Sequence, residues 1–320
     1  MDTKVKNTET LLSLGQFHIS EDCGFILPEP LVDLPVYYKP WMDIARNVLE
    51  LIFSHSLRLR IHNMPLLETH LLRTHCELRL AHLALSMMTV GYVWQEGERE
   101  TIKVLPRNLS VPFCEVSQRL GLPPILIYTD AVLANWKKRD PDGNLELLLT
   151  LPGGESVRGF FLVTLLVELA AVPGLKSILD VINGIHYNDV AMVTKALDVV
   201  SQAIGSMKQA FKLMHEYVDP SIFYGIMRIY LSGWKDNPSM PEGLVYDGVQ
   251  EKPMEFSGGS AAQSSILHCF DELLGVQHEG SSGKITISNC SLMIMLDNIR
   301  CCTNLWSPLL KNQGIISFAT

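Results

Sequence analysis

The stretch VTKALDVVSQAIGSMKQAFKLM at residues 193–214 has the clearest periodicity in the chain. Its apolar residues recur in alternating steps of four and three, at Val193, Leu197, Val200, Ile204, Met207, Phe211 and Met214. This spacing aligns them along one face of a long amphipathic helix. A core helix of a bundle explains such a seam better than a coiled-coil dimer or a cofactor-binding helix. The stretch therefore predicts a mainly helical protein.

Other segments with helical spacing extend this prediction along the chain. One helix is expected over residues 41–57, and a second over 78–94 is apolar on nearly all sides, so it should be buried. Shorter helices are expected over 112–120, 124–137 and 160–172, the last of them ending before a proline at position 173. Because no internal repeat or strand-rich region is visible, these patterns predict a mainly α fold.

Three polar segments organise the chain between these helices. Residues 139–159 consist of turn-forming residues around a short apolar run, which predicts a boundary between two lobes and allows a small hairpin. Residues 235–259 form a loop so long that a binding role is expected. A capping-box pattern at 260–263 then starts a helix that should end at the glycine at position 275.

Composition and charge exclude several classes of protein. The 320 residues are 47% hydrophobic and 19% charged, which is enough for a large core in one or two domains. A net charge of -8 without a basic run argues against nucleic-acid binding. The seven irregularly spaced cysteines and the lack of a signal peptide favour the cytoplasm. The most apolar segment, 160–175, is shorter than the ~20 residues of a membrane span, so no membrane is expected.

Motifs for phosphate and metal binding are weak. GSSGK at 280–284 lacks the first glycine of a phosphate-binding loop, because position 278 is a histidine. One short segment is rich in potential metal ligands, namely His70, His75, Cys76 and His82. Their spacing does not match a common zinc pair, so histidines satisfied by neighbouring groups are preferred over a metal site.

The segment SIFYGIMRIYLSGW contains the most informative charged residue, Arg228. Asp followed by Pro at 219–220 predicts the start of its helix, which should run to residue 234. Because apolar neighbours flank Arg228, its guanidinium should pair with a carboxylate. A protein Asp or Glu is the simpler partner. The alternative is an aromatic amino acid, whose carboxylate would meet Arg228 while Phe223 and Tyr224 offer aromatic faces.

Five motifs resemble a known family when they are taken together: VLPRN at 104–108, PPILIYTDAVLANWKK at 123–138, GFFLVTLLVE at 159–168, RIYLSGWKDNP at 228–238 and GGSAAQSS at 258–265. In this order and spacing they resemble the indoleamine 2,3-dioxygenases from about residue 15 to 278. Three strings, PGGES, SGWKDNPSMP and SGGSAAQSS, look closer to the second paralogue of that family than to the first.

The resemblance implies an all-α fold in which a small N-terminal lobe packs on a larger helical lobe that binds haem b. It implies a reaction that inserts both atoms of O2 across the C2–C3 bond of L-tryptophan, giving N-formylkynurenine, and a monomer is expected. The corresponding division is a flexible N-terminus at 1–18, a small lobe at 19–145, a partial large lobe at 146–278 and a divergent tail at 279–320.

The resemblance also implies roles for individual residues. Arg228 would hold the substrate carboxylate, and Phe223 would pack against the indole. Further substrate contacts would come from Tyr224, Tyr128, Phe160 and Thr164. The haem pocket would be lined by Val132, Gly259, Ser260 and Ala261.

Three departures from the family pattern qualify these expectations. The segment 139–155 is shorter than usual, and no match is expected beyond about residue 279, so we expect a shortened form. The proximal haem histidine of the family, within an RSYH motif, has no counterpart, and His268 and His278 are weak substitutes. We therefore expect no protein ligand for the iron and impaired turnover. The alternative is a non-catalytic regulatory or partner-binding isoform.

Overall fold

A computed structural model describes residues 11–140 and 143–276, and this part of the chain is mostly helical. The α-helices are α1 (Lys39–Arg46), α2 (Val48–Phe53), α3 (Leu57–His62), α4 (His75–Trp94), α5 (Arg107–Leu120), α6 (Glu155–His186), α7 (Val190–Lys212), α8 (Met214–Tyr217), α9 (Pro220–Ile222), α10 (Arg228–Leu231) and α11 (Ser265–Leu274). The strands are β1 (Val104–Leu105), β2 (Lys137–Lys138), β3 (Leu145–Glu146) and β4 (Val245–Tyr246). The all-α prediction is confirmed.

The described residues group into two compact units. The larger unit comprises 26–140, 143–167 and 208–264, and the smaller unit comprises 11–25, 168–207 and 265–276. Helices α6 and α7 each contribute residues to both units, so the units combine segments that are distant in sequence. The predicted lobes follow chain order instead, and their division at residue 145 stays a prediction.

Helix α4 forms the core of the larger unit. The side chain of Thr74 caps its start by accepting a hydrogen bond from the Glu77 amide at 3.2 Å. Every residue from Leu78 to Trp94 is buried, and α4 contacts α1, α2, α3, α5 and α10. A helix that is apolar on all sides is stable only inside a protein, and the predicted burial of this segment is confirmed.

A buried ionic cluster ties α4 to the segment 123–130. The His82 ring nitrogen Nδ1 lies 2.8 Å from Asp130 Oδ1, and both side chains are fully buried. The other ring nitrogen of His82 faces the Pro123 carbonyl at 3.2 Å, while Arg79 donates to the Thr129 carbonyl at 2.8 Å. Both ring nitrogens of His82 therefore have hydrogen-bonding partners inside the protein. The burial of His82, one histidine of the His/Cys-rich segment, is thus explained by hydrogen bonding within the protein.

The smaller unit is built around the facing ends of α6, α7 and α11. A hydrophobic cluster there contains Val181, Ile185, Val193, Ala196, Leu197 and Leu273. The predicted seam of α7 is correct in period but rotated, because its buried residues are Val193, Ala196, Val200, Ala203 and Met207. Ile204 and Phe211 of the predicted seam are instead 38% and 57% exposed.

Two prolines lie inside helices where sequence reasoning placed helix ends. Helix α6 continues through Pro173, and α5 begins at Arg107 rather than near Pro112. Proline removes one helical hydrogen bond, but burial of the flanking apolar residues can offset this loss. After Pro173, Gly174 fits closely against Ala203 and Phe270, where a Cβ would approach both side chains to 2.8 Å.

The continuation of α6 corrects the length argument against a membrane span. The 32-residue helix is long and apolar enough to cross a bilayer, although 61% of its most apolar window is buried within the protein. Length and composition alone do not distinguish a membrane span from a core helix.

The helix expected over 41–57 is divided into α1, α2 and the start of α3. Asn47 has a non-helical backbone between α1 and α2, and its side chain donates to the Asp43 carbonyl at 2.7 Å. His55 has a φ of 52°, which ends α2. Side chains that bond the backbone compete with helix continuation.

The helix expected over 124–137 is also shorter than predicted, being reduced to a π-helical turn at Thr129–Ala134. The Asn135 side chain bonds the backbone of Leu149 in both directions at 2.9 Å. The predicted hairpin is present as antiparallel β2 and β3. Near the N-terminus, Leu14–Phe17 forms a 3-10 turn with both end residues buried, unlike the flexible segment expected over 1–18. Residues 1–10 lie outside the described part.

Candidate functional site

The helical segment that carries Arg228 begins as the sequence predicts. The Asp219 side chain accepts from the Ser221 amide at 2.7 Å, and Pro220 occupies the first helical position. The segment ends at Leu231 rather than at residue 234, because Ser232 has an extended backbone. The adjoining Gly233 fits closely against the backbone of Phe256 and Gly258.

A π-helical turn at Phe223–Met227 brings Phe223 and Arg228 to the same face. Residues five positions apart in an α-helix point about 140° away from each other. In a π-helix the hydrogen bonds join residues five apart, so these two residues lie about one turn apart. The sequence reasoning expected a regular α-helix here and missed this turn.

Arg228 and Phe223 line a pocket of about 300 Å³ in the larger unit. The complete lining is Phe160, Phe223, Arg228, Leu231, Ser232, Gly259, Ser260 and Ala261. The rings of Phe160 and Phe223 are in contact, with centroids 5.1 Å apart and planes tilted by 41°. The pocket therefore combines one guanidinium, two phenyl rings and a loop of small residues.

The guanidinium of Arg228 forms no ion pair with any residue that the structure describes. The simpler prediction, a buried pair with a protein Asp or Glu, is not met within residues 11–140 and 143–276, where Arg228 is exposed at the pocket. The other titratable residue of α10, Tyr230, stays neutral near pH 7, since burial, with a smaller contribution from Glu96, raises its pKa to about 12. Arg228 is thus available to bind an anion from solution.

The loop Gly258–Gly259–Ser260–Ala261 contributes its last three residues to the pocket lining and is closely packed at Gly258. A Cβ on Gly258 would collide with the Leu231 carbonyl oxygen and would lie 2.7 Å from the Gly233 nitrogen. The Ser260 side chain accepts from the Ala262 amide at 3.2 Å, which confirms the capping box predicted at 260–263. The loop therefore rests directly on the end of the helix that carries Arg228.

Replacing Gly258 by alanine should displace this loop, because the added methyl group has no space between two backbone segments. We expect the affinity for an aromatic amino acid to fall roughly tenfold, the effect of about 1.4 kcal/mol. Isothermal titration calorimetry measures this directly. Gly205→Ala is the matched control, because a Cβ there meets no atom within 4 Å. Equal affinities in the two variants would contradict this account of the loop.

Several residues expected at the site do not line the pocket. Tyr128 immediately precedes the π-helical turn Thr129–Ala134, and Val132 lies within it. Both side chains are buried, at 5% and 3% exposure. Thr164 donates its hydroxyl to the Phe160 carbonyl at 2.6 Å, so it bonds the backbone that carries a pocket ring. Tyr224 is 69% exposed and contacts Phe223 edge-on.

The structure also shows pocket residues that the sequence reasoning missed. Leu231 and Ser232 line the pocket because the helix ends there and turns its last residues toward the loop. Their only sequence signal is the adjacent glycine at 233, which allows the close packing described above.

Candidate metal ligands are not gathered at this pocket. Within residues 11–140 and 143–276, no cluster of three His, Cys, Asp or Glu side chains could hold a metal ion. In the His/Cys-rich segment, His82 pairs with Asp130, whereas His70 is exposed and lies 3.0 Å from Glu68. His278, Cys290, Cys301 and Cys302 lie outside the described residues.

Comparison with known proteins identifies the family. A sequence model of the family described as indoleamine 2,3-dioxygenase matches residues 13–300, which extends past the expected limit at 278. The chain is 54% identical to indoleamine 2,3-dioxygenase 2 of Mus musculus over 275 residues, 84% of this chain and 68% of that protein. It is 52% identical to indoleamine 2,3-dioxygenase 2 of Homo sapiens over 281 residues, 86% of this chain and 69% of that protein.

The chain is also similar to a protein that carries a different name. Myoglobin of Haliotis diversicolor is 40% identical over 270 residues, which cover 83% of this chain and 70% of that protein. The names of the relatives thus differ, whereas the family match covers most of the chain. This chain belongs to the indoleamine 2,3-dioxygenase family of oxidoreductases.

Proposed function

We propose that the pocket at Arg228 binds L-tryptophan and that the chain is a haem-dependent dioxygenase that uses O2 to form N-formylkynurenine. The observation that carries the proposal is an arginine without an ionic partner among the described residues, set beside two phenyl rings in a pocket of about 300 Å³. This arrangement matches the two ends of an aromatic amino acid.

The pocket residues account for recognition of both parts of the substrate. A planar guanidinium binds a carboxylate through two parallel hydrogen bonds, which fixes the orientation as well as the position of the anion. The rings of Phe160 and Phe223 offer faces and edges against which an indole can pack. The small residues of the Gly258–Ala261 loop leave room for the ring system.

Haem b would supply the one-electron chemistry that activates O2. Tyr224, which contacts Phe223, and Ile226 are 69% and 39% exposed and offer apolar surface for a flat ring. The side chains of the pocket do not fit the ligation of haem iron, however, because no described histidine lines the pocket. Of the ten histidines in the chain, only His278 lies outside the described residues. We therefore propose weak haem binding and slow turnover.

A second candidate is a non-catalytic regulatory protein that binds tryptophan or a partner through the same larger unit. None of the described histidines lines the pocket, which favours this candidate because binding of tryptophan by Arg228 does not require iron.

One preparation of the purified protein distinguishes these candidates. Hemin is added, the Soret band and its carbon monoxide shift are recorded in the ferrous state, and N-formylkynurenine is measured with L-tryptophan. Binding of L-tryptophan to the haem-free protein is measured in parallel by calorimetry.

We expect L-tryptophan binding, a weak Soret band and turnover far below that of mouse indoleamine 2,3-dioxygenase 2 assayed alongside. Turnover equal to that enzyme would contradict the proposed impairment. Binding without any product would favour the regulatory candidate, and the absence of binding would refute the tryptophan pocket itself.

A further inference from the structure

Gln263 links two parts of the larger unit through both ends of its side-chain amide. It ends the 3-10 turn Ala261–Gln263 that follows the pocket loop. Its Oε1 accepts hydrogen bonds from the amides of Tyr128 at 3.0 Å and Ser260 at 3.3 Å. Its Nε2 donates to the Gly258 carbonyl at 3.1 Å. One side chain thus joins both ends of the pocket loop to a segment 135 residues earlier in the chain.

The earlier segment is a firm support because the buried cluster holds it. The Asp130 carboxylate accepts from the Ile127 amide at 3.3 Å as well as from His82. The Tyr246 hydroxyl donates to the Pro124 carbonyl at 2.6 Å. Tyr128 lies between these anchored positions, so its amide is a fixed donor for Gln263.

The pocket loop lies between this support and the end of the helix that carries Arg228. A Cβ on Gly259 would be 3.5 Å from the Ile127 carbonyl carbon, which shows ordinary contact on one side. On the other side Gly258 is packed directly on the backbone of Leu231 and Gly233. Because Gly259, Ser260 and Ala261 line the pocket, a shift of the loop changes the width of the pocket in front of Arg228.

We propose that Gln263 is a positioning residue for the substrate pocket, which acts through the loop and does not touch the substrate. Its role requires an acceptor for two amides and a donor for one carbonyl, a combination that an amide side chain provides. The proposal rests on the proposed function, since it assumes that L-tryptophan binds at Arg228. Gln263 does not line the pocket, so we expect it to affect the affinity for L-tryptophan only through the loop.

Gln263→Met tests the proposal, because methionine keeps the length and volume of glutamine but has no strong donor or acceptor. We expect the dissociation constant for L-tryptophan to rise roughly tenfold, since several hydrogen bonds of modest net strength are lost together. Gln209→Met is the matched control, because Gln209 is exposed on α7. Calorimetry on the 320-residue chain gives both dissociation constants.

Site-resolved amide hydrogen exchange in the free protein provides the readout that a general loss of stability would not produce. We expect faster exchange at Tyr128 and Ser260 in Gln263→Met, with α4 unchanged. If the wild type binds L-tryptophan and Gln263→Met binds it with the same dissociation constant, the positioning role is overturned. If the wild type does not bind L-tryptophan, the proposed function itself is refuted. Unchanged hydrogen exchange at the Tyr128 and Ser260 amides in Gln263→Met would separately overturn the link through Gln263.

Discussion

Replacing Arg228 by alanine should weaken L-tryptophan binding by roughly 10- to 100-fold. Hydrogen bonds to charged groups contribute about 1.5–3 kcal/mol, and the bidentate pair between guanidinium and carboxylate is lost entirely. The affinity of Arg228→Lys for L-tryptophan should fall between those of the wild type and Arg228→Ala, because an ammonium keeps the charge but not the planar fork. Dissociation constants from calorimetry on the haem-free protein test both variants.

Arg60→Ala is the matched control for this prediction. Arg60 is exposed on α3, and like Arg228 it forms no ion pair with a described residue. Its loss lowers the net charge equally but should leave the affinity unchanged. If Arg60→Ala and Arg228→Ala weakened binding to the same extent, the effect would be one of overall charge, and the carboxylate role of Arg228 would be wrong.

Replacing Asp130 by alanine should destabilise the protein by about 3–5 kcal/mol, the usual cost of removing one partner of a buried ion pair. His82 would lose its buried hydrogen-bonding partner, and the buried guanidinium of Arg79 would lose the nearby carboxylate that favours its charge. Burial already lowers the pKa of Arg79, while Asp130 raises it. The free energy of unfolding from urea titration measures the change.

The exposed pair of Lys39 and Asp43 provides the comparison. Their atoms approach to 2.7 Å, but the side chains are 66% and 39% exposed, so Asp43→Ala should cost no more than about 0.5 kcal/mol. A cost below about 1 kcal/mol for Asp130→Ala would contradict the view that this cluster anchors the segment under the pocket.

Local signals in the sequence predicted the helix class and several boundaries. Asp219 with Pro220 and the capping box at Ser260 were identified correctly because caps depend on a few adjacent residues. The burial of α4 was also predicted, because a helix that is apolar on all sides has no face for water.

The errors arose where tertiary contacts override a local rule. Prolines usually mark helix boundaries, so Pro173 was expected to end a helix and Pro112 to start one, yet both lie inside helices whose apolar residues are buried. The rotation of the α7 seam follows from which neighbours cover it, and this is not encoded in the spacing of its own residues. Single-residue interruptions such as Asn47 depend on a side chain bonding the backbone.

At the site, the resemblance supplied the residues, and the structure showed how they meet. Phe160, Phe223, Arg228 and the loop Gly259–Ala261 lie in one pocket, although they come from segments about a hundred residues apart. The π-helical turn that aligns Phe223 with Arg228 has no simple sequence signal. The partner of Arg228 could not be chosen from sequence, because its exposure depends on the complete fold.

Binding of L-tryptophan and tryptamine to the wild type and to Arg228→Ala tests the central claim most directly. Tryptamine keeps the indole and the amine but lacks the carboxylate that Arg228 should hold. The account predicts that the wild type binds L-tryptophan at least tenfold more tightly than tryptamine, and that Arg228→Ala removes this difference. Equal affinity of the wild type for both ligands, or an undiminished preference in Arg228→Ala, would contradict it.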